Sequence, residues 1–255
     1  MLLAIDIGNT NIVAALCDRD RIRDSVRFDT ADPRTSKFLS MFKGVFVEGA
    51  IVSSVVPKMD KTVFQLIQKL YGIKPTFVSA GMFDGIMGIR AHNKKEIGAD
   101  RLVNAYAATQ IYGKPSVIID FGTATTFCAV SSSGEYLGGA IAPGVAISRD
   151  ALHEKTAKLP FVELTFPSSV IGGSTVSAMQ SGILFGYVGI VESMVERFKK
   201  ILGKNAVVVA TGGLAEKISS KTDIIMVVDR DLTLKGLDLL WKKIWGTKIR
   251  TKIRS

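Results

Sequence analysis

Cysteine is scarce in this chain of 255 residues: Cys17 and Cys128 are its only two. Two thiols cannot build a disulfide-rich secreted scaffold or a cysteine-rich zinc site. Each sits in an apolar, strand-like run, where cysteine behaves as a small hydrophobe. Long hydrophobic runs are missing too. The most apolar later stretch, Gly182–Val191, is far short of the ~20 residues a spanning helix needs. The N-terminus has no basic segment and meets an acid at Asp6, so it does not read as a signal peptide. A cytoplasmic protein in a reducing compartment, with no membrane partner, is the expectation. The chain also lacks the Gly-x4-Gly-Lys-Ser/Thr phosphate loop and the dinucleotide Gly-x-Gly-x-x-Gly pattern. Zinc-finger spacing, an aromatic-rich RNA motif and a clear helix-turn-helix are absent as well.

What is present is an ordinary globular composition, with 47% apolar and 22% charged residues. The length suggests one to two domains. Thirty-three basic against 23 acidic residues leave a net charge of +10, which permits anion or nucleic-acid binding without establishing it. Outside the tail Thr247–Ser255, which carries four basic residues, Lys and Arg are scattered as on a solvated surface.

Short apolar runs predict strands at Leu2–Ile5, Ile12–Leu16, Ile22–Phe28, Ala50–Val55 and Thr76–Val78. Val63, Leu66, Ile67 and Leu70 share a helical face within Lys58–Leu70. Residues 80–96 read as a loop, followed by a helix from about Ile97 to Tyr112. Gly113 and Pro115 end that helix and mark the expected boundary between halves 1–113 and 114–255. The second half predicts strands at Val117–Ile119, Thr125–Val130, Tyr136–Ala142, Ala206–Ala210 and Ile224–Val228. Helices are expected near Val145–Leu152, Thr175–Leu202, Leu214–Ser219 and Leu232–Ile244, with a frayed tail beyond.

The halves open alike. Leu3-Ala-Ile-Asp6-Ile-Gly8-Asn-Thr10 parallels Val117-Ile-Ile-Asp120-Phe-Gly122-Thr123. Each is a strand, then Asp-x-Gly, then a hydroxyl residue, then another strand. This points to two copies of one fold. In the first turn, Gly8 permits a tight bend and close approach of a ligand. The amides and short side chains of Asn9, Thr10 and Asn11 suit a phosphate, and Asp6 suits a magnesium–phosphate group. A simple Asx-turn closing a hairpin is the other reading. The second turn offers the same equipment. A third, Ala210-Thr-Gly-Gly-Leu214, follows a strand and opens a helix, as a nucleoside rest or a plain strand-to-helix turn. In Gly98-Ala99-Asp100-Arg101, adjacent Asp100 and Arg101 point about 100° apart on a helix and do not form one pair. The acid suits a substrate hydroxyl and the arginine fork a substrate carboxylate; helix capping is the alternative for Asp100.

These residues together resemble the type III pantothenate kinases. The matching pieces are Asp6–Thr10, Gly98–Arg101, Asp120-Phe-Gly-Thr-Ala-Thr125, Gly138-Gly-Ala-Ile-Ala-Pro-Gly144 and Thr156-Ala-Lys-Leu-Pro160. They run in order over most of the chain. The resemblance implies an α/β fold of two duplicated ribonuclease-H-like, actin-like ATPase domains, with mixed sheets flanked by helices and ATP held between them. It implies ATP-dependent phosphorylation of pantothenate, the first step of coenzyme A biosynthesis, with Mg²⁺ and potassium or ammonium. By motif, Asp6, Ile7, Gly8, Asn9, Thr10, Asn11, Ile12 and Val13 correspond to the ATP phosphate site, and Thr123 to a second ATP contact. Asp120 corresponds to the monovalent-cation ligand. Gly98, Ala99, Asp100 and Arg101 correspond to the pantothenate run, with Asp100 as proton acceptor and Thr175 as a further pantothenate contact. The family is dimeric, and the apolar face of the long helix from Thr175 suits that contact.

One stretch departs from the family. Many members carry Tyr-x-Asn-Pro before Gly98, where this chain has Ala91-His92-Asn93-Lys94. His92 reads as an exposed loop residue, and His153 as either a helix-end histidine or a pocket residue. Two rival functions are a non-catalytic nucleic-acid-binding regulator that keeps the fold, and a relative phosphorylating another small hydroxyl or acid.

Overall fold

The computed structural model describes residues 1–18, 21–32, 42–90 and 93–253, with side chains through residue 246. The chain forms two compact units. The first joins Met1–Ile111 to Asp231–Ser255, and the second is Tyr112–Arg230.

In the first unit, strands β1 (Leu2–Ile7), β2 (Asn11–Asp18), β3 (Arg21–Asp29), β4 (Gly49–Ser54) and β5 (Thr76–Phe77) lie in the order β3-β2-β1-β4-β5. Strand β1 pairs antiparallel with β2 and parallel with β4. Its nearly unbroken apolar run suits this central place, whereas β3, polar and largely exposed, lies at the edge. Leu3, Ile5, Ile7, Ala50 and Val52 pack on one face of the sheet with Val63 and Ile67 of helix α1 (Pro57–Tyr71). Pro57 opens that helix, and Gly72 closes it with a φ of 69°, a left-handed geometry that costs glycine nothing.

The other face meets helices α2 (Ala99–Ile111) and α6 (Leu232–Ile253). Helix α6 lies close because two glycines let it. The Trp241 ring occupies the space a side chain at Gly49 would need, and a Cβ at Gly236 would stand 2.7 Å from the Val103 side chain. Thr233 also donates to Asn104 Oδ1 at 2.8 Å. Helix α6 therefore clamps α2, the helix whose first turn holds Asp100 and Arg101.

The second unit repeats the plan. Strands β6 (Ser116–Phe121), β7 (Ala124–Val130), β8 (Tyr136–Pro143), β9 (Val207–Gly212) and β10 (Val227–Val228) lie in the order β10-β9-β6-β7-β8. Again the central strand is antiparallel to one neighbour and parallel to the other. Helices α3 (Val145–Glu154), α4 (Thr175–Leu202) and α5 (Ala215–Ser219) complete the unit. Among the described residues α4 alone is long and apolar enough to cross a membrane. It spends Ile183, Leu184, Tyr187, Val188 and Val191 on a core with Val117, Ile119, Phe121 and Phe127.

The duplication inferred from Asp-x-Gly holds at the level of single residues. Asp6 stands in register with Val13 and Ser53, and Asp120 with Thr126 and Thr211. Three expectations need correction. The C-terminal helix, expected in the second half, belongs to the first unit, because its apolar face packs on β1, β4 and α2. That helix runs on to Ile253 rather than ending at Ile244, since residues 247–253 contain no glycine or proline to stop it. The loop at 80–96 contains two 3₁₀ turns, Ala80–Phe83 and Lys94–Glu96.

The first and penultimate residues of the second unit are tied together. Tyr112 Oη donates to buried Asp229 Oδ2 at 2.7 Å. Burial, and then the Asp229 bond and charge, push the phenol up to about 12. We expect Tyr112→Phe to cost about 1.5–3 kcal/mol, the net worth of a hydrogen bond to a charged group. Urea unfolding of the two proteins side by side checks this.

Candidate active site

The first turn, between β1 and β2, is closed by Gly8 N–H donating to Asn11 O at 2.9 Å. A residue that sequence reading passed over braces it from outside. Buried Thr30 donates its hydroxyl to Gly8 O at 2.7 Å, and its N–H to Thr10 O at 2.9 Å. Asn9 and Thr10 stay exposed at the tip, with Asp6, Asn11 and Val13 half-buried and Ile7 and Ile12 in the core. The turn is thus a fixed backbone shape with its polar tip open, as a phosphate cradle requires. On the expectation that this turn holds the ATP phosphates, Thr30→Val should raise the KM for ATP several-fold with little change in the KM of the second substrate. Steady-state kinetics with each substrate varied would show it.

The turn and the Gly98 run are joined by the end of β4. Val55 N–H donates to Ile7 O at 3.0 Å. The Val55 side chain lies 3.5 Å from where Gly98 would place a Cβ. Ser54 locks this segment: its hydroxyl donates to Asp60 Oδ1 at 2.6 Å and accepts the Val56 N–H at 3.2 Å. The Ser-Ser-Val-Val stretch carries no motif in the sequence reading, yet it connects two of its motifs.

Asp100, at the start of α2, is half-buried and folds back on its own turn. Its Oδ1 accepts the Arg101 N–H at 2.8 Å and sits in the space a Gly98 side chain would take. Burial raises the pKa of this carboxyl, against the opposing pull of the Arg101 N–H and charge. Half-buried Arg101 and buried Ala99 complete the run. Asn93 caps the short turn ahead of it, accepting the Lys95 N–H at 3.2 Å and donating to Glu96 at 2.7 Å. Ala91 and His92 lie outside the described residues.

In the second unit, Asp120 stands half-buried one residue before the end of β6, while Gly122 and Thr123 are exposed in the next turn. Two glycines press on this group. Gly212, with a φ of 91°, would put a Cβ 2.7 Å from Asp120 Oδ1, and Gly144 is held against the Gly122 and Thr123 carbonyls. Gly144 at the end of the Gly138–Gly144 run and Gly212 in the Ala210–Leu214 turn thereby let backbone close around Asp120 and Thr123. Thr175 is exposed in the first turn of α4, one residue after the Ser174 cap.

His153 lies in the last turn of α3, as the helix-end reading has it. Its Nδ1 donates to Leu159 O at 2.9 Å, and its ring meets Phe161 edge-on. Arg149 lies 4.0 Å from the centre of the same Phe161 ring. These contacts brace the loop that contains Thr156–Pro160. Both cysteines are buried; burial above all pushes the Cys17 thiol up to about 12, and Cys128 lies 3.6 Å from the Tyr136 hydroxyl.

Among the described residues no three His, Cys, Asp or Glu side chains group as a metal cage. The carboxylate of Asp6, beside a turn with an open polar tip, fits magnesium, which binds through one or two carboxylates plus substrate phosphates. The glycine-walled Asp120 fits a cation held partly by backbone oxygens.

The model of the type III pantothenate kinase family matches residues 2–197. The chain belongs to that family. It is therefore a kinase, a phosphotransferase that uses ATP with a divalent metal. Solved structures share the fold. A Campylobacter jejuni protein described as a Baf family transcriptional activator aligns with a TM-score of 0.62 at 17% identity, over 96% of this chain and 99% of its own. A Sinorhizobium meliloti protein described as a 2-dehydro-3-deoxygalactonokinase aligns at 0.54 and 10%, over 96% and 99%. A Listeria monocytogenes protein described as an N-acetylmannosamine kinase aligns at 0.54 and 12%, over 95% and 98%. With the two five-stranded mixed sheets, these likenesses give this family member a duplicated α/β fold shared with those proteins.

Proposed function

We propose that the protein transfers the γ-phosphoryl group of ATP to the primary hydroxyl of pantothenate. The product is 4′-phosphopantothenate, at the first step of coenzyme A biosynthesis. The half-buried Asp100 at the start of α2, beside Arg101, carries this reading: it places an acid of raised pKa next to a cation suited to a carboxylate.

In this reading the substrate hydroxyl oxygen attacks the γ-phosphorus in line and the bond to the bridging oxygen of ADP breaks. Asp100 takes the hydroxyl proton. The transition state of phosphoryl transfer is loose and demands little of the base. Charge neutralisation and positioning contribute more. Arg101 holds the pantothenate carboxylate through its planar fork, with Gly98 and Ala99 beside it, and Thr175 is a further pantothenate contact. The backbone of Asp6–Val13 cradles the phosphates, and Thr123 makes a second ATP contact. Asp6 would hold magnesium, which supplies charge neutralisation on the phosphates, and Asp120 would hold potassium or ammonium. A cytoplasmic homodimer fits the family's habit; the apolar face of α4 expected to join it is spent on the core of its own unit, so the apolar residues the helix leaves exposed, Val176, Ile190 and Ile201, would carry the contact.

Asp120→Ala should raise the potassium concentration needed for half-maximal rate, or the KM for ATP; an unchanged potassium profile would contradict that assignment. For the reaction itself, mass spectrometry after incubation with ATP, Mg²⁺, potassium and pantothenate should reveal phosphopantothenate. Its absence from a folded, ATP-binding preparation would contradict the substrate.

A further inference from the structure

Ser53 is fully buried, and its hydroxyl has no hydrogen-bond partner. Folded proteins rarely leave such a donor unsatisfied, and a position that does calls for a missing water or ion. Its place in the sheet says which. Five buried side-chain polar atoms lack partners among the described residues: those of Ser53, Ser116, Thr125, Tyr187 and Trp241. Of these, Ser53 alone stands in register with a carboxylate of the site, Asp6 on the neighbouring parallel strand.

Residues in register on adjacent strands project to the same face, and alternate residues to opposite faces. Ile5, Ile7 and Val52 belong to the α1 side of the sheet. Asp6 and Ser53 therefore share the other face, where Trp241 covers Gly49, two alternations back along β4. This is the face packed by α2, whose first turn carries Asp100. The second unit repeats the pairing, with buried Thr211 in register with Asp120. An acid on the first strand with a hydroxyl beside it on the fourth is thus a feature of both copies of the fold.

We propose that Ser53 is a positioning residue for the metal side of the phosphate site, its hydroxyl hydrogen-bonding a water in the shell of the magnesium held by Asp6. The inference rests on the reading of Asp6 as the magnesium–ATP carboxylate. Outer partners of this kind orient what the metal binds, and their loss typically costs roughly 10- to 100-fold in metal affinity or activity.

The test compares wild type, Ser53→Ala and Ser53→Thr. Binding of ATP is followed by calorimetry with and without magnesium, and melting is followed with and without Mg–ATP. Ser53→Ala removes a buried unsatisfied group, so without ligand it should melt no lower than wild type. It should need roughly 10- to 100-fold more magnesium for tight ATP binding. The metal-free affinity for ATP and the KM for pantothenate should stay near wild type. Ser53→Thr should recover part of the magnesium affinity. A purely structural serine would leave the magnesium requirement unmoved, and that result in Ser53→Ala would overturn the proposal while leaving the Asp6 reading intact. Wild type binding ATP equally well with and without magnesium would instead overturn the Asp6 reading, and the proposal with it.

Discussion

Asp100→Asn should cut kcat by roughly 10²- to 10⁴-fold, the usual contribution of a positioned general base, and leave the KM for ATP nearly unchanged. The asparagine keeps the shape of the side chain and still offers an oxygen to the Arg101 N–H, so the turn should persist. What is lost is the proton acceptor. The same substitution should make the protein melt higher near neutral pH. Burial raises the Asp100 pKa above its ordinary value, so the fold favours the protonated form. That favourable contribution is complete below the unfolded-state pKa and disappears as pH rises through the higher folded value. Once ionised, the group sits in a site that resists ionisation, and a neutral amide relieves this. Turnover and melting temperature should therefore move in opposite directions. The acid limb of kcat/KM against pH should also lie above the ordinary carboxylate range in wild type. A variant with near-normal turnover would remove Asp100 from proton transfer.

The second large effect should come from one added methyl group. In Gly98→Ala the new Cβ would collide with Asp100 Oδ1 and touch Val55. The carboxylate is the freer of the two, because Val55 is fixed by its bond to Ile7 and by the Ser54–Asp60 lock. Asp100 should swing off the Arg101 N–H. Misplacement of a reacting group by about 1 Å can cost about 10²-fold in rate, and a loss of that order in kcat is expected. Melting should change little, since the methyl displaces a side chain rather than core packing. Rate measurements on Gly98→Ala with saturating substrates test this; wild-type kcat would mean that the carboxylate position does not matter.

The sequence made the duplicated architecture legible because its signal is local. A buried strand, Asp-x-Gly and a hairpin recur at Asp6 and Asp120, and each repeats the same strand pairing. The Gly98–Arg101 run was visible for the same reason: its residues are adjacent. What stayed hidden depends on distant neighbours. Thr30 looks like any strand-end threonine until β3 brings it to the Gly8 carbonyl. Ser53 looks like half of a Ser-Ser pair until register sets it beside Asp6. Gly144 and Gly212 read as turn glycines, whereas their role is to leave room for Thr123 and Asp120. The placement of the last helix was missed because its apolar pattern says that it packs, but not on which sheet. Trp241 over Gly49, Gly236 against Val103 and the Thr233 bond to Asn104 assign it to the first unit.

The most direct test of the account is ADP release from ATP, with Mg²⁺ and potassium, measured with and without pantothenate on wild type and Asp100→Asn. Release should depend on pantothenate in wild type and nearly vanish in the variant while ATP binding persists. Release indifferent to pantothenate, or none from a wild-type protein that binds ATP, would contradict it. Either result would shift the reading to another acceptor or to a regulator that keeps the kinase fold.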